Sequence, residues 1–176
     1  LAAAIGPQAE ALLAEAESVH IVACGTSYHA GCVARYWIES RAKIPCNVEL
    51  ASEFRYRSPV VPKNCLFVTL SQSGETADTL AALREGREQG ARVLAISNTR
   101  ESTIARESDD VLYTHAGPEI GVASTKCFTA QIVALYLLAL KLAILRGRLS
   151  ESETREHLQD LIRLPRLAES VLQMDE

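Results

Sequence analysis

Cys65-Leu66-Phe67-Val68-Thr69-Leu70, followed at once by Ser71-Gln72-Ser73-Gly74-Glu75-Thr76, is the stretch from which the fold can be read. Its first six residues carry no charge and are apolar, aromatic or β-branched, which marks a buried strand. From Ala77 the apolar residues return at helical spacing through Leu80 and Leu83, so a helix opens where the polar run ends. The run therefore occupies a strand-to-helix turn. Three hydroxyls, one amide and a glycine that permits close backbone approach converge where a helix offers unpaired N–H groups. An oxyanion such as a phosphate ester needs that chemistry. The plainer alternative makes the serines and the threonine N-caps and nothing more.

Upstream, residues 7–17 read as a helix, and Ser18 to Cys24 as a buried strand that runs into a second small polar turn, Gly25-Thr26-Ser27. A helix from Tyr28 to Ala42 follows, with Val33, Tyr36 and Trp37 expected on its apolar side, and Pro45 stops it. Cys46 to Leu50 reads as a strand, Ala51 to Tyr56 as a helical turn, and Ser58-Pro59-Val60-Val61-Pro62 as a loop. Downstream of the opening turn the helix runs to about Gln89, with Gly90 as its stop. Strands at Arg92–Ser97 and Asp110–Thr114 flank a short helix near Ser102–Glu107. Strands alternating with helices predict βαβ crossovers, hence a three-layer α/β/α sandwich around a five-stranded parallel sheet, flavodoxin-like in type. Ligands of such sheets lie beyond the carboxyl ends of the strands, and both polar turns fall there.

Gly117 to Lys126 is predicted to be a loop at the same edge, opening the longest helix, which ends near Arg148 at Gly147. Cys127 to Leu140 is free of charge, but fourteen residues span only about 21 Å, short of the roughly 30 Å of a membrane. A helix apolar on every face is expected to be buried on every side. We therefore expect a homodimer, because Phe128, Leu135, Leu138 and Leu142 are not expected to face one sheet together. Ser150 with Glu153 predicts a capping box for a last helix, which Pro165 is expected to break or kink before Leu167–Met174. One domain spans 1–176, its sheet core at about 18–148 and a helical segment at about 150–174.

The net charge of −4 leaves no basic surplus for nucleic acid. Five cysteines, Cys24, Cys32, Cys46, Cys65 and Cys127, are odd in number, widely spaced and without metal-ligand spacing, so we expect free thiols in a reducing compartment, the cytoplasm, and no metal. No signal peptide is visible, and a start at Leu1 suggests a piece of a longer chain. Neither a G-x-x-x-x-G-K-[ST] nor a GxGxxG fingerprint is present, and no cofactor is expected. A triad built from Ser71 or Ser73, His29 and an aspartate lacks the G-x-S-x-G elbow. His20 and His115 read as structural, and His157 as solvent-facing.

Cys24–Tyr28, Ser71–Thr79 and Glu119–Lys126, with Ala51–Arg57 between them, resemble the sugar isomerase (SIS) domain over nearly the whole chain. More narrowly they resemble the first SIS module of the glutamine–fructose-6-phosphate aminotransferase family, the glucosamine-6-phosphate synthases. Cys127 stands where that family commonly has Ala. The resemblance implies that Ser71, Gln72, Ser73 and Thr76 hold the phosphate of fructose 6-phosphate, with Ser27 closing from the first turn. It implies that Thr26, the Val122 backbone and Ser124 meet the sugar hydroxyls of that substrate or of glucosamine 6-phosphate. Glu75 is expected to turn outward or cap a helix, since its carboxylate repels a dianion. Lys126 either lends positive potential or pairs with Glu119. The resemblance further implies that the catalytic base lies in a second SIS module and that an N-terminal glutaminase domain supplies ammonia. No catalytic residue is assigned to this chain. A non-catalytic sugar-phosphate sensor is the alternative, and a standalone isomerase would need Glu119 or Glu53 as its base.

Overall fold

The structure is a computed structural model that describes residues 7–121 and 123–175. Five strands, β1 (Ser18–Ala23), β2 (Cys46–Leu50), β3 (Cys65–Ser71), β4 (Arg92–Ser97) and β5 (Asp110–Tyr113), form one sheet in the order β2-β1-β3-β4-β5, parallel throughout. The helices are α1 (Pro7–Glu15), α2 (Gly25–Trp37), α3 (Ala51–Tyr56), α4 (Ala77–Glu88), α5 (Thr103–Glu107), α6 (Lys126–Leu145) and α7 (Glu151–Leu172). The predicted three-layer α/β/α sandwich is the fold observed.

Alternation along the strands separates two cores, because successive side chains point to opposite faces. Ile21, Leu66, Val68, Leu70 and Ile96 face α1, α2 and α6, where Ala30, Ala34, Leu135, Leu138 and Leu142 close on them. Val22, Phe67, Val93 and Ala95 face the other way, onto Phe54, Leu83 and Ile104 of α3, α4 and α5. All seven residues of β3 are buried, as its uncharged sequence predicts for the middle strand of a sheet covered on both sides.

α2 packs by a different face from the one expected. Ser27, Ala30, Gly31 and Ala34 are its buried residues; of the three side chains expected there Trp37 packs against the core, whereas Tyr36 is 75% exposed and Val33 lies at the surface. The helix sits too close to the sheet for large side chains: a Cβ on Gly31 would lie 3.0 Å from both Ile21 and Val48. Beyond Trp37 it widens into a π-turn, Ile38–Ala42, and ends at Lys43 in the left-handed region, ahead of Pro45.

α6 also differs from expectation. Leu135, Leu138 and Leu142 are fully buried in a single core and Phe128 packs against it, so the four side chains do share one side. The ground offered for a homodimer through this helix is removed. α6 is long and apolar enough to cross a membrane, but half of its most apolar window is buried within this domain. Lys141, itself buried, places its Nζ 2.8 Å from Glu10 on α1.

α7 begins with the predicted capping box, Ser150 Oγ accepting from the Glu153 N–H while Glu153 accepts from the Ser150 N–H. It then runs unbroken through Pro165 to Leu172. No residue of α7 is buried, so the carbonyl that Pro165 leaves without a donor is not sealed in a core. His157 is half-buried rather than solvent-facing. Its Nε2 lies 2.9 Å from Arg41 Nη1 and its Nδ1 3.1 Å from Tyr136 Oη. Because a guanidinium only donates, Nε2 accepts and the proton sits on Nδ1.

Candidate functional site

The strand order reverses direction between β1 and β3: β1 leads outward to β2, and β3 leads the other way to β4. At such a switch point the two following connections part to opposite faces and leave a crevice at the carboxyl ends. A cleft of about 350 Å³ lies there. Thr26, Ser27, Ser71, Gln72, Ser73, Thr76 and Ser124, seven of the eight residues singled out from sequence, line it together with Cys24, Gly25, Leu70, Glu119 and Gly121. Val122, the eighth, lies outside the described residues.

The Ser71–Thr76 turn is held from within and from behind. Ser71 Oγ accepts from the Gly74 N–H at 3.0 Å and shares a hydrogen bond with Thr76 Oγ1 at 3.0 Å; Ser73 Oγ accepts from the Glu75 N–H at 3.2 Å. Gly74 has φ +68°, and a Cβ there would overlap Ser102. Only glycine meets both demands. From behind, the Asn98 N–H and the Thr99 hydroxyl donate to the Gln72 carbonyl, and the Ile104 N–H donates to Gly74 O. Glu75 points away from the cleft and accepts from the Thr103 N–H at 2.7 Å, capping α5. That bond holds its carboxyl below the usual range.

The helix ends at the cleft are the chemically active part. Cys24 caps α2 and Thr76 caps α4, and neither gives a side-chain bond to its helix. Thr76 spends its hydroxyl on Ser71 instead, so the first-turn N–H groups of α4 stay open toward the cleft. Two helix N-termini with free donors and partial positive charge thus converge beside a ring of hydroxyls.

The third helix end is arranged differently. Glu119 Oε2 accepts from the Thr125 N–H at 3.2 Å and the Cys127 N–H at 3.0 Å, and Oε1 accepts from the Thr125 hydroxyl at 3.2 Å. Ser124 Oγ donates to the same carboxylate at 3.5 Å. The expected alternative for Glu119, a salt bridge to Lys126, does not occur among the described residues; backbone donors satisfy it first. The Cys127 N–H, above all, holds the Glu119 carboxyl below its ordinary range. Burial pushes the thiol of Cys127 up to about 11, so it is no nucleophile.

Asn98 was not singled out from sequence. Its amide donates to Gly117 O at 2.8 Å, and its Oδ1 accepts from the Thr114 hydroxyl and the Ala116 N–H. With its backbone on Gln72 it ties the Ser71–Thr76 turn to the loop that carries Glu119 and Ser124. The signal was available, since Ser97-Asn98-Thr99 is a third small polar turn at the carboxyl end of a strand. Of the remaining candidates, His29 and Glu53 are exposed and do not line the cleft. Glu119 is the single carboxylate lining it among the described residues. The described residues hold no group of three or more His, Cys, Asp or Glu side chains that could bind a metal ion.

A parallel 2-1-3-4-5 sheet with this anion-ready cleft at its switch point defines the class, and the SIS domain family matches residues 12–141. The chain belongs to the SIS domain family. It is 58% identical over 173 residues to the glutamine–fructose-6-phosphate aminotransferase (isomerizing) of Pseudomonas syringae pv. tomato, covering 98% of this chain and 28% of that protein. It is also 58% identical over 161 residues to the enzyme of the same name from Streptomyces coelicolor, covering 92% and 26%. Among solved structures, the C-terminal domain of glucosamine-fructose-6-phosphate aminotransferase from Francisella tularensis superposes with a TM-score of 0.91 at 47% identity. That match covers 95% of this chain and 48% of the other. The chain therefore spans less than a third of the curated relatives it matches.

Proposed function

We propose that this chain is the fructose 6-phosphate-binding half of the isomerase domain of a glutamine–fructose-6-phosphate aminotransferase, the first of two SIS modules. The observation that carries the reading is the cleft itself. Seven predicted contact residues line it beside two uncapped helix N-termini at the topological switch point. The likeness to the aminotransferases supports it further. The phosphate sits on the α4 first turn among Ser71, Gln72, Ser73 and Thr76, with Ser27 opposite. Neutral donors with a helix dipole hold a dianion without a buried cation. Thr26 and Ser124 face the sugar hydroxyls.

Proton transfer between C1 and C2 needs a base whose lone pair is free. Glu119 accepts from two backbone N–H groups and two hydroxyls, and its carboxyl is held below the usual range, which makes it a poor base. The base, the glutaminase domain that supplies ammonia and the cytoplasmic setting belong to the proposal for the whole enzyme.

Titrating the chain with millimolar fructose 6-phosphate is expected to shift the amide resonances of Ser71–Thr76 and of Thr26 and Ser27, leaving those of α7 unmoved. No shift at the turn defeats the reading. Aldose–ketose turnover by the chain alone would replace it with a complete isomerase.

A further inference from the structure

We propose that Glu119 sets the polarity of the cleft: its carboxylate fills the one helix N-terminus that would otherwise take a second anion, so the cleft admits a hexose monophosphate and excludes a bisphosphate. The inference rests on the sugar-phosphate reading above and extends it to specificity.

Three helices begin at the cleft, and their ends are not equivalent. α2 and α4 present first turns with no side-chain cap. α6 is the longest of the three, at 20 residues, so its end is no weaker as an anion site. Its own N-cap, Thr125, makes no side-chain cap bond. Glu119 folds back from six residues upstream and takes the Thr125 N–H, the Cys127 N–H and the Thr125 hydroxyl, which are the donors a phosphate would need. A group tethered within the same short loop holds that place at high effective concentration, and a ligand anion competes with it at a disadvantage.

Charge points the same way. Glu119 lines the same cleft as the Ser71–Thr76 turn, from the loop that leads into α6, and its hydrogen bonds keep it ionised over the range in which a phosphate monoester is a dianion. One end of the cleft is thus donor-rich and positive in character. The other presents a carboxylate, which only accepts. A sugar hydroxyl can donate to Oε1 of that carboxylate, which takes one of the four hydrogen bonds while Oε2 takes three, whereas a second phosphate can only be repelled by it. The hexose is forced into one direction, phosphate toward α4 and hydroxyl end toward Glu119 and Ser124. The Ser124 hydroxyl, donating to Glu119, is turned so that its lone pairs remain for the sugar.

The test is calorimetric titration of the chain with fructose 6-phosphate and with fructose 1,6-bisphosphate, repeated on Glu119→Ala and Glu119→Gln. The unsubstituted chain is expected to bind the bisphosphate at least about tenfold more weakly than the monophosphate. Glu119→Ala frees the α6 donors and is expected to close that gap or invert it, with Glu119→Gln between the two. Should Glu119→Ala lose helical circular dichroism, Glu119→Gln carries the comparison, since its amide oxygen still accepts while the charge is gone. Equal binding of both ligands by the unsubstituted chain overturns the inference and leaves the proposed function standing. So does an unchanged gap in folded variants. Failure of the unsubstituted chain to bind either ligand removes the proposed function and this inference with it.

Discussion

Gly74 shows how a single residue can be demanded twice over, once by its φ of +68° and once by Ser102, which occupies the space a Cβ would need. Gly74→Ala must pay for a left-handed alanine and displace a buried serine, so we expect a loss of about 2–4 kcal/mol of unfolding free energy. Urea denaturation measures it. His20 supplies a second residue-scale prediction. It is buried on β1 between Phe54 and Phe67, with Nε2 2.9 Å from Glu49 Oε1, and both oxygens of Glu49 accept from Arg57. Burial lowers the imidazole below its ordinary 6.5 despite Glu49 beside it, and the Arg57 hydrogen bond lowers Glu49 below its ordinary 4.5. Below pH 6.5 the unfolded chain takes up a proton that the folded His20 refuses, so stability falls as pH drops toward the folded value. Below pH 4.5 the same holds for Glu49, and stability falls again in the same direction. Urea midpoints should therefore decline from pH 7.5 to 5, and His20→Phe should flatten that limb while leaving the one below pH 4.5. The sequence made His20 legible as structural because it lies in an apolar strand. His157 was misread because its partners, Arg41 and Tyr136, are distant in the chain and nothing local signals them.

At the scale of elements, spacing decides what a residue can be. Gly31 on α2 gains about 1 kcal/mol of helix propensity on substitution by Ala, but its Cβ would press at 3.0 Å on Ile21 and Val48. Overpacking of a filled layer costs about 1–3 kcal/mol, so Gly31→Ala is expected to destabilise the fold on balance, by up to about 2 kcal/mol in a thermal or urea melt. The reading of Val33 and Tyr36 as the buried side failed for the same reason, since a helix this close to a sheet packs by glycine, alanine and serine. Apolar side-chain area alone ranks those residues below valine and tyrosine. The strands, by contrast, were legible almost to the residue, because β3 and its neighbours are buried on both faces and read as uncharged runs. The three loops of the cleft were legible because small polar residues cluster where those runs stop. Asn98 joins two of these loops, holding residues 114–117 through three side-chain hydrogen bonds and the Ser71–Thr76 turn through its backbone N–H on Gln72. Asn98→Ala is expected to cost about 2–3 kcal/mol, at roughly 1 kcal/mol per bond. It should also weaken fructose 6-phosphate binding severalfold, although Asn98 does not line the cleft. Binding that is unchanged in a destabilised variant would confine Asn98 to a structural role.

For the molecule as a whole, the two cores account for the sheet, α6 and most of the other helices, and leave α7 apart. The sequence placed the unpartnered apolar surface on α6, reasoning that a helix apolar on every side needs a second partner. Packing against α1, α2 and the π-turn answers that need within the domain, and the densest group of exposed apolar side chains falls on α7 and just beyond it instead. Leu164, Leu167 and Val171, with Met174 in the 3₁₀ turn that follows it, recur at steps of three and four and are 48–84% exposed. Scattered surface leucines need no explanation, but a continuous helical stripe is the form an association surface takes. If the proposed homodimer forms, its contact therefore belongs on α7. The expected outcome is that Leu167→Glu with Val171→Glu shifts sedimentation of the chain toward the monomer. An α6 surface change such as Thr129→Glu, on an exposed residue outside the cleft, should leave it unmoved. Because no residue of α7 is buried, the double substitution is expected to leave the melting temperature of the sheet core within a few degrees of the original. A dimer that survives it would place the contact elsewhere, and a chain that is monomeric without any substitution would mean that α7 awaits a different partner.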